Sequence, residues 1–284
     1  MRILKTSVLI VVAIVIANSG SVFADITPSE IVAKFNGLQD GNGWSFSTTI
    51  HGELGDTEWL FSTNGDLVDE TTTPDLSVYT GATSTTDGTF YTFCANNVVT
   101  IPNGDISGYA LLNYDPTTGE TKNISGVALT VGAAWLYSQY AQGALDGFRY
   151  DPDVNTAGSE RYEDALLLRE TLLLVTTVTA EEIGNAASTN KFVRALLNAN
   201  PSTDYWVETY DVNKFYSEIG NIAVFVMNLT SGTGGTGEEY QDMYYATVVD
   251  YGGEAPEPTT LLLWVLGSIG TLGVGYCRKR SNRS

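Results

Sequence analysis

Polar and apolar positions change rhythm twice along this 284-residue chain. Trp44, Phe46, Thr48 and Ile50 alternate with Ser45, Ser47, Thr49 and His51, the period of two that marks a strand with one buried face. Trp59-Leu60-Phe61 predicts a second short strand, with the turn signal Asn64-Gly65 after it. Residues 71–88 are rich in Thr, Ser, Asp and Gly and read as a loop or weak edge strand. Residues 89–101 predict a strand pair or one long bulged strand, and residues 109–114 another strand. Asp115-Pro116 ends the last of these, with a turn at Gly119.

The period then becomes helical. Within residues 131–145, Trp135, Leu136, Tyr140, Ala144 and Leu145 recur at helical spacing. Ser159 is placed to cap a second helix. Glu160 and Glu163 lie in its first turn, where negative charge suits the dipole, and apolar residues 166–175 follow. The β-branched stretch 175–179 should end it. Ser188 is placed to cap a third helix over residues 190–198, stopped before Pro201. Strands return at 222–229 and 243–251, joined by the glycine-rich connection 231–237. No internal repeat of solenoid or propeller length is visible. The pattern predicts an α+β protein. It has a β-rich, sandwich or barrel-like frame, a helical insert around residues 131–198 and a C-terminal transmembrane helix.

The two ends carry a topology. Arg2 and Lys5 precede an unbroken apolar run over residues 8–17, and Val22-Phe23-Ala24 offers the side chains a signal peptidase reads. Cleavage after Ala24 would leave Asp25 as the mature N-terminus. At the other end, Pro256-Glu257-Pro258 is followed by an apolar run over residues 261–277. A helix over that run reaches about 26 Å, enough for a thin bilayer. Arg278, Lys279, Arg280 and Arg283 then close the chain, and such a cluster stays on the cytoplasmic side. The expected domains are a signal peptide, 1–24; an exported globular domain, 25–251; a linker, 252–258; and a transmembrane tail, 259–284.

Composition sharpens this. Two of the 14 basic residues lie in the leader and four in the tail, so the exported body sets eight against 33 acidic residues, a net of −25. That excludes a general nucleic-acid binder, which needs a basic footprint. With 43% hydrophobic and 11% aromatic residues the chain can nevertheless build a core.

Pro-Glu-Pro, a span and an arginine-rich stop resemble the PEP-CTERM sorting signal of bacterial exported proteins. The resemblance implies an exosortase-type enzyme that recognises Pro256, Glu257 and Pro258. A second resemblance lies in the body. Phe93-Cys94, the helix from Gly132 through Trp135-Leu136-Tyr137 to Leu145, and Gln241-Asp242 stand in the order seen in a group of PEP-CTERM proteins. That group is similar to the thioester domains of surface adhesins. There a cysteine and a glutamine form an internal thioester that couples to amines. Cys94 would supply the thiol. The matching helix puts Arg169 where the glutamine is expected, and Gln139 and Gln142 lie on another helix. The resemblance therefore implies the fold without the crosslink.

Other chemistry is sparse. Cys94 and Cys277 fall on opposite sides of the expected membrane, which leaves Cys94 as the one mature thiol. It reads as a core residue, an intermolecular partner, an acylated site or a reactive thiol. Asp151, Asp153 and Asn155 begin like a calcium loop, but Thr156 stands at the glycine position and Tyr162 at the closing glutamate. The segment suits a turn or a weak structural Ca²⁺ site, and no other cofactor is expected. His51 is the one histidine, and no Gly-x-Ser-x-Gly motif accompanies it. Trp44, Trp59, Trp135 and Trp206 suit a core or a sugar-stacking platform. No catalytic residue is assigned.

The expectation is an exported, non-enzymatic protein of the cell surface or extracellular matrix. The alternatives are an adhesin-like binding module, thioester-derived or carbohydrate-binding, and a secreted hydrolase using paired carboxylates. The expected partners are signal peptidase, an exosortase, the membrane through the tail, and an exopolysaccharide.

Overall fold

A computed structural model describes residues 44–49, 58–63, 76–81, 83–84, 89–96, 106–115, 117–150, 159–215, 219, 221–231 and 237–248. All belong to one compact unit, Thr27–Val249. The leader, with Ala24 and Asp25, lies outside the described residues. So do the Pro256-Glu257-Pro258 motif, the run over 261–277, and Arg278, Lys279 and Arg280. Among the described residues no helix is long and apolar enough to cross a membrane.

The fold is α+β. Six strands, β1 (Trp44–Thr49), β2 (Trp59–Thr63), β3 (Thr89–Thr92), β4 (Ile106–Leu112), β5 (Ile222–Thr230) and β6 (Met243–Val248), form one antiparallel sheet in the order β3-β2-β1-β4-β5-β6. The two outer strands of that order meet. Cys94, just past β3, makes an antiparallel bridge with Met243. The Ala95 N–H donates to Asp242 O at 2.7 Å, and the Tyr244 N–H to Phe93 O at 3.1 Å. Of the segment 89–101, expected as a strand pair or one long bulged strand, Thr89–Thr92 form β3, and residues 97–101 lie outside the described residues.

Among the described residues there are six helices, all between β4 and β5, which are neighbours in the sheet. They are α1 (Val131–Ala141), α2 (Glu160–Thr177), α3 (Ala180–Ala186), α4 (Lys191–Ala199), α5 (Thr203–Val207) and α6 (Val212–Phe215). The insert therefore runs past the expected residue 198. Helix α1 contacts β5, β6, α2, α4 and α5. Only Trp135 and Gln139 on it are not buried, so it is a core helix enclosed on nearly all sides. Thr130 caps it by accepting from the Ala133 N–H and ties it to α2 by donating to Val175 O at 3.0 Å. Gly132 lets α5 approach, since a Cβ there would lie 2.9 Å from Trp206 O. The helix stops at Gly143, whose φ of 67° suits glycine and whose N–H donates to Tyr140 O.

Helix α2 ends at Thr177, inside the β-branched stretch 175–179 expected to stop it, and Thr176 and Thr177 return their hydroxyls to Leu172 O and Leu173 O. One cap is corrected. Helix α4 is capped by Asn190, not Ser188. The Asn190 Oδ1 accepts from the Phe192 and Val193 N–H groups, whereas the Ser188 hydroxyl donates to Asn185 O. Helix α3 was not anticipated, although Thr179 and Glu182 build a reciprocal capping box at its start.

Candidate functional site

The seam between the β3 extension and β6 brings together three residues that the sequence singles out, Cys94, Gln241 and Asp242. Cys94 has no exposed surface. Its bridge to Met243 sets it beside Gln241 and Asp242, which are also buried. Three side chains here fasten backbone that has no ladder partner. The Gln241 amide donates to Asn96 O, and the Asn123 amide to Ala95 O at 3.3 Å. Asp242 Oδ2 accepts the Ile124 N–H and the Asn96 Nδ2, both at 2.6 Å. The turn over 123–127 is thereby pinned to both strands, with Asn123 Oδ1 taking the Val127 N–H at 3.0 Å. Burial is the main influence on Asp242 and pushes its carboxyl up to about 6, against the pull of these two donors.

Helix α1 lies over the same seam. The Tyr137 hydroxyl reaches Thr92 Oγ1 and Tyr244 O, each at 3.1 Å, and Tyr79 OH at 2.9 Å. Tyr79 OH in turn accepts the Ala246 N–H. Phe93 meets Tyr140 edge-on at 4.8 Å. Burial drives the Tyr79, Tyr137, Tyr140 and Tyr244 phenols well above their ordinary range, so they stay neutral.

A second polar centre was not foreseen. Glu58 precedes β2 and Arg161 is the second residue of α2, with side chains each 2% exposed. The guanidinium grips both carboxylate oxygens, Nε to Oε2 at 3.1 Å and Nη2 to Oε1 at 2.9 Å, and Tyr140 OH also donates to Oε1. Arg161 lies 4.9 Å from the Tyr91 ring centre and 5.9 Å from that of Phe148. The sequence did hold a signal. A cation in the first turn opposes the helix dipole, so its presence asks for an anion elsewhere. One turn on, Asp164 accepts Arg149 Nε and backbone N at 2.9 Å, Arg149 Nη2 at 3.0 Å, and Lys191 Nζ. Burial raises that carboxyl, but these donors outweigh it and hold it below the usual range.

The remaining candidates scatter. Arg169 sits half-buried in the middle of α2, and Gln142 folds back on Ser138 O just after α1. Trp206 is buried, with its indole N–H on Asn200 O, so it is no open platform; Trp135 beside it, ring centres 5.7 Å apart, is half-exposed. Asp151, Asp153, Asn155 and His51 lie outside the described residues, as do the side chains of Trp44 and Trp59. Tyr162 is half-buried, and its backbone N–H is taken by the Ser159 cap. Among the described residues no group of three or more His, Cys, Asp and Glu could hold a metal ion. The chain matches no protein-family model, no curated protein and no solved structure.

Proposed function

We propose that this chain is an exported, non-enzymatic component of the cell surface or extracellular matrix, delivered by its leader and its Pro-Glu-Pro tail. The body is a barrel-like antiparallel frame with a helical insert, built on a thioester-like plan but working without the crosslink. The observation that carries this reading is the use made of the seam. A transferring thiol must reach its acceptor and exist in part as thiolate. Cys94 has no exposed surface, and the side-chain amide N–H groups of Gln241 and Asn123 beside it donate to backbone carbonyls. Lys122, Arg149, Arg161, Lys191 and Lys214 are all engaged in ion pairs, which leaves the acidic surplus to face solvent. Such a surface favours solubility and repels anionic membranes.

Intact-mass analysis of the protein recovered from its native host tests the proposal. The expected product begins at Asp25, lacks residues 259–284 and shows no deficit of about 17 Da, the ammonia lost when a thiol acylates on glutamine. Glu257→Ala, or removal of residues 278–284, should leave the tail attached. An exported form that keeps its tail would overturn the sorting claim, and a mass deficit mapped to Cys94 would overturn the unlinked frame.

A further inference from the structure

Two oxygens in the seam have no partner. Asn96 and Asp242 are 3% and 0% exposed and share a hydrogen bond of 2.6 Å, yet Asn96 Oδ1 and Asp242 Oδ1 are both buried without one. A buried acceptor without a donor is costly, and these two belong to side chains already joined by one hydrogen bond, so they call for a shared solution. A carboxylate cannot supply one, because it only accepts. A carboxylic acid can, because it donates from its second oxygen.

We infer that Asp242 takes up a proton on Oδ1 and shares it with Asn96 Oδ1, so that the two residues form an acid–amide pair that fastens the seam when protonated and loosens it when the proton leaves. Proton and carboxylate simply combine, and the proton comes from solvent. The surroundings favour a proton over a metal ion. The Ile124 N–H and the Asn96 amide both point hydrogens at the Asp242 carboxyl, and a hard cation needs about six oxygens there instead. The charged and titratable groups around it agree. Glu239 on the same segment disfavours a second negative charge. Cys94 and Tyr244 face the seam from its two strands, and on the 120–128 turn Lys122 is paired with Glu120 at 2.6 Å. Burial places the release near pH 6.

The folded-state value lies above the ordinary 3.8, so the fastening is complete below about pH 4 and is lost as pH rises through about 6. The test follows exchange of the Ala95 and Tyr244 amides in the full chain from pH 5 to 8, corrected for intrinsic rates, with thermal melting alongside. Protection at these two seam amides should fall by about 10-fold over this range, the part of the two-unit pKa difference that lies above pH 5. Asp242→Asn keeps both acceptor contacts and adds a permanent donor toward Asn96, so its protection should be flat with pH and match the acid form. If that variant fails to fold, the protonated-carboxyl infrared band of the wild type still decides the matter: it should vanish with a midpoint near 6. A midpoint near 4, a pH slope retained in Asp242→Asn, or calcium that restores protection at pH 8 would each overturn the inference.

Discussion

Arg161→Met should be among the most damaging single changes in the protein. It removes the cation of an ion pair whose two side chains are each 2% exposed, and it leaves the Glu58 carboxylate with Tyr140 as its remaining named donor. Two charge-assisted hydrogen bonds, at 2.9 and 3.1 Å, and the cation contact with Tyr91 disappear together. Stranding a buried charge typically costs 3–5 kcal/mol, out of a domain total of about 5–15 kcal/mol. Urea unfolding of the full chain at pH 7, followed by tryptophan fluorescence, should show the midpoint fall by about 1–2 M at a slope of about 2–3 kcal/mol/M. Arg161→Lys should recover only part of the loss, because an ammonium cannot span both carboxylate oxygens. Glu58→Gln alone should also destabilise, whereas Glu58→Gln with Arg161→Met should cost at least about 2 kcal/mol less than the two singles added. A loss under about 1 kcal/mol for Arg161→Met, or simple additivity in the double variant, would refute the view that this pair locks α2 to the strand edge.

Other expectations are narrower. Asn190→Ala removes a cap that accepts two backbone N–H groups and donates to Thr171 Oγ1 at 2.8 Å, so denaturant melts should show a loss of about 1–2 kcal/mol, against less than about 0.5 kcal/mol for Ser188→Ala. Iodoacetamide should modify Cys94 only at the rate of unfolding, and rapid labelling of the native chain would show that the thiol is accessible. The Asp164 carboxyl is held low, so its stabilisation is present above its ordinary 3.8 and is lost as pH falls below about 4; Asp164→Asn should flatten this acid limb in a melting series. Asp242 acts in the opposite sense, with a change of about 3 kcal/mol spread between pH 4 and 6. Stability should therefore peak in mildly acid solution, and a maximum above pH 7 would contradict these two assignments.

Periodicity was a good guide wherever an element follows from neighbouring residues. The alternation at 44–50 becomes β1, the apolar run at 59–61 opens β2, and Ser159 with its glutamates starts α2. The capping box of α3 was equally local and was passed over because Thr179 closes a β-branched stretch that reads as a helix stop. The Asn190 cap was misassigned by two residues because serine and asparagine are near-equal caps, and the choice rests on which side chain the preceding turn aims at the N–H groups. Helix α1 was legible as a helix but not as an enclosed one, since spacing reports a face and not how many elements cover it.

The sequence by itself determined the alternation of strands, the helical stretch between them and the acidic balance of the chain, because each is written in short windows or in counts. Tertiary structure alone decided what Cys94, Gln241 and Asp242 do. Their meaning depends on a bridge between Cys94 and Met243 and on Asn96 turned toward Asp242, as that of Arg161 depends on Glu58. Those partners are far apart along the chain. Burial changes the chemistry of each, and no pattern of neighbouring residues encodes burial by a distant strand.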